Sequence, residues 1–158
     1  MAALAAAVEV ASKARCPMVA RGGGLSYTAG YLAAEPALLI DTTRLDRIVE
    51  INVADRYVTV EAGVTWAALD AALRPQGLRT PYWGPLSGLH ATVGGAISQG
   101  SVFLGSGQHG GVGDSVLSVE VVTGSAATLR TGSAAAGNAA PFLRYFGPDL
   151  TGLFVGDC

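Results

Sequence analysis

An α+β fold is predicted for this 158-residue chain by three observations. Helical stretches alternate with short strands that fold back as hairpins, without the regular strand–helix–strand alternation of a doubly wound sheet. A glycine-rich loop early in the chain runs into another strand instead of a helix. Half of the residues are hydrophobic, enough for one domain with a real core.

The elements follow in order. Residues 2–15 read as a helix, alanine throughout, with Leu4, Val8 and Ala11 along one face. Pro17 stops it. Pro17-Met18-Val19-Ala20 is a short apolar strand, and Ala37-Leu38-Leu39-Ile40 is a second, ending at Asp41. Residues 45–51 lead through a turn into a third strand. Ala54-Asp55-Arg56 makes a hairpin turn, and residues 57–61 alternate as a half-buried strand should. Gly63 breaks that strand. Thr65 caps a helix whose apolar face is Trp66, Leu69 and Leu73, ended before Pro75 and Gly77. Residues 81–89 are loop. Thr92 is placed to cap a short helix over the next residues, where Gly94-Gly95 would admit a flat ligand close to the backbone. Residues 100–113 form a glycine-rich crossing. Residues 116–122 and 128–131 are strands joined by a turn at Gly124-Ser125. A short helix is expected around residues 149–154, and alternation points Val119, Val121 and Leu153 inward.

The loop Arg21-Gly22-Gly23-Gly24-Leu25-Ser26-Tyr27-Thr28 carries the chemistry. Three consecutive glycines remove every Cβ from a tight turn, allow positive φ, and let a ligand approach the backbone. Successive N–H groups in such a turn can converge on an anion, with Arg21 and the Ser26 hydroxyl as further donors. A diphosphate fits that donor set, and Gly23 is the position where a side chain would obstruct it. The plain alternative is a flexible turn between strands. A dinucleotide fingerprint needs glycine where Tyr27 stands, and a helix next; a Walker loop needs a lysine after its last glycine. The one lysine, Lys13, lies upstream.

Composition excludes other classes. A formal net charge of −2 argues against a nucleic-acid partner, and no apolar run is long enough to cross a membrane. The alanine-rich opening lacks a preceding positive charge and meets Glu9 at once, so it reads as helix, not signal peptide, with a cytoplasmic location expected. Cys16 and Cys158 are too isolated for a disulfide framework or zinc site. Two histidines and scattered carboxylates make no metal site. A hydrolase would need a G-x-S-x-G elbow, and none occurs.

Five stretches in one order carry a resemblance: residues 21–27, Val60-Glu61-Ala62-Gly63-Val64-Thr65-Trp66, residues 84–95 with Ala91-Thr92-Val93-Gly94-Gly95, residues 110–116, and Tyr145-Phe146-Gly147-Pro148-Asp149-Leu150 with Gly152-Leu153-Phe154. Together they resemble the FAD-binding domain of the vanillyl-alcohol oxidase/p-cresol methylhydroxylase (PCMH-type) flavoproteins. The resemblance implies a two-part α+β FAD domain: a small βαβ-type subdomain over residues 1–55 with the diphosphate loop, and a larger mixed or antiparallel sheet with flanking helices over residues 56–158. It implies FAD as cofactor and, in the whole protein, oxidation of a small organic substrate such as an alcohol, sugar or hydroxy acid under a separate cap domain. A strand usual before the first helix, a glycine-rich strand usual after the Gly-Leu-Phe stretch, and the cap are missing. The chain is therefore expected to be a fragment of a flavoenzyme, inactive alone. A non-catalytic flavin- or nucleotide-binding module is the alternative.

The resemblance also assigns residues. Arg21, Gly22, Gly23, Gly24, Leu25, Ser26 and Tyr27 fall to the diphosphate. Pro85, Ser87, His90 and Thr92, then Gly94, Gly95 and Ser98, fall to the flavin loops, and Gly110 and Val116 to a third contact. Some members attach FAD through a histidine at the position of Leu25; leucine cannot do so, and non-covalent binding at this loop is expected. His90 stands where other members attach the flavin through a cysteine, which would put it beside the isoalloxazine ring as a hydrogen-bond donor or pH-sensitive neighbour; a loop histidine near solvent is the alternative, and attachment there stays open. His109 reads as structural. Ser87 and Ser98 could equally serve turns and caps. Trp66, Tyr82 and Trp83 could pack on the cofactor, but such residues are more often core. No general base is assigned.

Overall fold

The computed structural model of the protein describes residues 1–33, 35–136 and 149–156. Helix α1 (Ala2–Lys13) buries Val8 and Ala11, with Leu4 half-buried on the same face. Arg15 turns the chain with φ 51°, and Pro17 prevents the helix from resuming. Strand β1 (Met18–Arg21) pairs in parallel with β2 (Leu38–Asp41), Met18 opposite Leu38 and Arg21 opposite Asp41. A parallel pair needs a long crossover. Residues 22–37 supply it without a helix among the described residues, so the glycine loop leaves from the C-terminal end of β1.

Strands β3 (Ile48–Asn52) and β4 (Tyr57–Val60) form an antiparallel hairpin with Ile51 opposite Val58 and a bulge at Val49. The Asn52 side-chain oxygen accepts from the Asp55 amide at 2.8 Å, and Arg56 takes φ 56°, so residues 54–56 are the turn that the sequence predicts. The 55/56 division falls at the tip of this hairpin. Its inner residues Ile48, Ile51, Val58 and Val60 pack on Val64, Leu69 and Leu73.

Helix α2 (Trp66–Leu73) begins at Thr65, whose hydroxyl accepts from the Ala68 amide at 3.2 Å. Burying Leu69 and Leu73 contributes about 1.5–3 kcal/mol each. A 3-10 turn over Arg74–Gln76 carries Pro75 and ends at Gly77 with φ 68°. Helix α3 (Val93–Ser98) is capped by the Thr92 hydroxyl, as expected. The crossing that follows holds a short helix the sequence does not announce, α4 (Ser106–His109). Strands β5 (Glu120–Val122) and β6 (Thr128–Arg130) pair antiparallel, Val121 opposite Leu129. The strand expected from residue 116 starts only at Glu120, because the amide of Val116 closes a 3-10 turn (Val112–Ser115) onto Gly113. Each sheet has two strands among the described residues.

A terminal 3-10 turn (Thr151–Phe154) stands where a short helix is expected; Thr151, 1% exposed, has its hydroxyl 2.7 Å from that of Thr131. The inward orientation expected for Leu153 is not found: its side chain is 68% exposed, while Val119 and Val121 are half-buried. Such a short turn has no face long enough to carry an alternation. Tyr145-Phe146-Gly147-Pro148 lies outside the described residues. Among the described residues no helix is long and apolar enough to cross a membrane, and no group of three or more His, Cys, Asp or Glu could hold a metal.

Candidate cofactor site

One apolar cluster joins three of the predicted site segments. Trp66, Tyr82, Ala91, Ala96 and Val112 are its buried members, and Leu25, Val93, Ile97 and Phe103 pack against them. Leu25 comes from the glycine loop, Ala91 to Ile97 from α3 and its lead-in, and Val112 from the third segment. Trp66 and Tyr82 meet edge to face at 6.3 Å, so they are core. Trp83 is half-buried, and its amide donates to the Leu104 carbonyl at 3.1 Å.

The glycine loop lies directly on residues 90–92. A Cβ on Gly22 would stand 2.5 Å from Thr92 Oγ1, and one on Gly23 would overlap the His90 carbonyl oxygen. The left-handed residue of the three is Gly24, with φ 67°, and not Gly23. The close approach that forbids a side chain at Gly23 is made by the protein's own backbone. The Arg21 guanidinium folds over Gly24, where a Cβ would lie 3.0 Å from Nε, and stands 5.6 Å from the centre of the Tyr31 ring.

The amides of Gly22, Gly23, Gly24, Leu25 and Ser26 donate to no protein acceptor among the described residues. Nor does Arg21 form an ion pair there. These five residues are only half-buried, so their amides are open to solvent or to a ligand's acceptors. Ser26 Oγ lies 2.8 Å from Thr28 Oγ1, and Tyr27 is fully exposed. Asp41 is held below the usual carboxylate range by hydrogen bonds from the Thr43 hydroxyl and amide, with the Arg21 charge a smaller contribution.

The second segment is tied to the chain that precedes α2. The Trp66 amide donates to Ala91 O at 3.1 Å, Val93 N to Val64 O at 2.8 Å, and Gly94 N to Ala62 O at 2.9 Å. A Cβ on Gly94 would stand 2.6 Å from that of Ala62, so the close contact at this glycine is with Ala62. Gly95 donates to Thr92 Oγ1 at 3.2 Å. Pro85 precedes a 3-10 turn (Leu86–Gly88) that contains Ser87. His90 is exposed, Thr92 is buried, and Ser98 ends α3 half-buried.

The third segment is held internally. Gly110 has φ 78° and abuts the Asp114 carboxylate, which accepts from the Gly111 amide at 2.8 Å. The amides of Gly110 and Val112 are taken by the carbonyls of Ser106 and Ser101. Val116 is 8% exposed. The sequence reading missed Asp114, although its place three residues after Gly111 is a recognisable turn-closing pattern. It also missed Tyr31, whose ring lies under Arg21.

The chain is 32% identical over 149 residues to a glycolate oxidase subunit GlcD of Bacillus subtilis, covering 94% of this chain and 30% of that protein. It is 31% identical over 145 residues to a mitochondrial D-lactate dehydrogenase [cytochrome] of Arabidopsis thaliana, covering 90% of this chain and 24% of that one. It spans less than a third of the length of either. Among solved structures, an alkyldihydroxyacetonephosphate synthase superposes with a TM-score of 0.79 at 18% identity, over 97% of this chain and 28% of that one, which shows the shared PCMH-type fold. The sequence profile described as FAD binding domain matches residues 1–132. The chain belongs to this family of FAD binding domains.

Proposed function

We propose that residues 21–28 hold the diphosphate of FAD, that residues 85–98 and 110–116 line the rest of the cofactor, and that the whole protein oxidises a small hydroxy acid. The carrying observation is the run of five amides from Gly22 to Ser26 that donate to no protein acceptor among the described residues, beside the Arg21 guanidinium, which forms no ion pair among them. Charge-assisted bonds to phosphate oxygens contribute about 1.5–3 kcal/mol each, and a few of them suffice to retain a dinucleotide. The residues present therefore fit the cofactor of the family. Arg21 supplies the charge, the loop amides the direction, and Leu25 anchors the loop to the core. When bound, FAD supplies hydride acceptance.

The relatives' names support the hydroxy-acid reading, since they include glycolate oxidase, D-lactate dehydrogenase and D-2-hydroxyglutarate dehydrogenase. Residues 1–55 would carry the diphosphate and residues 56–158 the flavin side, meeting where Gly22 and Gly23 lie on residues 90–92. Leu25 has no nucleophile, so retention at the first loop is non-covalent. Attachment at the exposed His90 stays open; flavin on a His90-containing peptide after denaturation would assign one.

Competitive titration tests the diphosphate assignment. FAD is expected to bind, ADP to compete with it, and FMN, which has no diphosphate, to bind far more weakly. FMN binding as tight as FAD would overturn the assignment.

A further inference from the structure

Tyr82 is 2% exposed, and its hydroxyl oxygen lies 3.0 Å from the His109 carbonyl oxygen, 2.8 Å from that of Gly111 and 2.9 Å from Ser115 Oγ. Gly111 and Ser115 belong to the third segment and His109 immediately precedes it, 27 to 33 residues downstream of Tyr82. The two carbonyls flank Gly110, whose φ of 78° makes it the one left-handed point of this stretch. A phenol has one proton, so it donates to one carbonyl at a time, while the Ser115 hydroxyl can donate to it in return. Other polar groups of the loop are used locally: Asp114 accepts from Gly111 N, Gly110 N reaches Ser106 O, and Val112 N reaches Ser101 O. Besides the apolar insertion of Val112 and the edge-to-face contact of the Tyr82 and His109 rings at 6.5 Å, the Tyr82 hydroxyl is, among the described residues, the side-chain hydrogen bond that ties the loop to the chain before α3.

We propose that Tyr82 is a positioning residue for the cofactor. Its ring is fixed in the core against Trp66, and its hydroxyl latches residues 109–115 in the place from which Gly110 and Val116 face the cofactor. The inference rests on the reading of residues 110–116 as a cofactor wall. It goes beyond that reading by assigning the wall's position to one hydroxyl group on a residue that does not itself touch FAD. The first loop needs no such latch, because its glycines lie directly on residues 90–92.

The test is Tyr82→Phe, which keeps the ring and its packing and removes only the hydroxyl. Two readouts are taken on the whole protein: amide hydrogen exchange of residues 109–115 without FAD, and FAD affinity by flavin fluorescence. Exchange in that loop should quicken while α2 and the β3–β4 hairpin keep their protection, and FAD affinity should fall about tenfold, the worth of one buried hydrogen bond. Ser115→Ala, which leaves both carbonyl bonds possible, should have a smaller effect on both. Unchanged exchange at residues 109–115 would overturn the latch. Quicker exchange with unchanged FAD affinity would overturn the positioning role. A parent chain that binds FAD no better than FMN would sink the diphosphate assignment instead, and the exchange result would still report on the latch.

Discussion

The carbonyl oxygen of His90 occupies the place that a side chain on Gly23 would need. Two stretches nearly seventy residues apart therefore meet backbone to backbone, in the middle of the loop whose amides donate to no protein acceptor among the described residues. Gly23 serves the protein's own packing, and through that packing it sets the position of the amide run.

Gly23→Ala should be destabilising as well as impairing FAD binding. Even one methyl must push residues 90–92 away, and overpacking of this kind costs about 1–3 kcal/mol. Gly107→Ala is the control, since a Cβ there meets nothing within 4 Å. A thermal melt should place the Gly23 variant several degrees below the Gly107 variant. Equal melting temperatures would mean that the two stretches separate readily.

Arg21→Ala should weaken FAD binding by about 10–100-fold, equivalent to a charge-assisted hydrogen bond of about 1.5–3 kcal/mol, with little change in melting temperature. Its guanidinium stands over the Tyr31 ring and forms no ion pair with a carboxylate among the described residues, so its removal strands no paired charge there. The loss should be larger for FAD than for riboflavin, which has no phosphate. An equal loss for both ligands would place Arg21 away from the diphosphate.

Much of this was legible in the sequence because the signals are local. Thr65 before Trp66 and Thr92 before Val93 are side-chain caps, and both are found. Pro17, the turn at residues 54–56 and the period of Tyr57 to Val60 place their elements within a residue or two. What could not be read depends on contacts distant in sequence. The sequence shows that Gly23 and Gly94 tolerate close approach; it does not show that the approaching groups are His90 O and Ala62. Tyr82 reads as a generic core aromatic until the fold brings residues 109–115 to its hydroxyl. Helix α4 has no periodicity to announce it, being a single turn of polar residues and glycine.

Thr92→Val should lower stability by about 1 kcal/mol through loss of the cap, or about 2–4 °C in a domain of this size. Thr92→Ser keeps the hydroxyl and should retain most of the stability. Because Gly22 lies against Thr92 Oγ1, the valine should also perturb the amide run and weaken FAD more than a plain cap loss would. Valine and serine variants with the same melting temperature would remove the cap from the account.

Glu61 should give the acid limb of stability part of its slope. One carboxylate oxygen accepts from Arg47 Nε at 3.1 Å and Nη2 at 2.7 Å, and the other from the Arg47 amide at 3.0 Å. These bonds hold its pKa below the ordinary 4.5, with the side-chain hydrogen bond the largest cause. A carboxyl whose folded pKa is depressed stabilises the fold above its unfolded pKa, and that contribution disappears as the pH falls through the folded value. Glu61→Gln removes the charge at every pH, so the parent should melt higher at neutral pH and the gap should close as the pH falls below the ordinary value. Glu9 and Asp41, also depressed, titrate in both proteins and cancel in the difference. Melting temperatures of the pair from neutral to strongly acid solution check this. A gap that stays constant across the range would show that the loss comes from altered packing at the β3–β4 hairpin and not from the Glu61 charge.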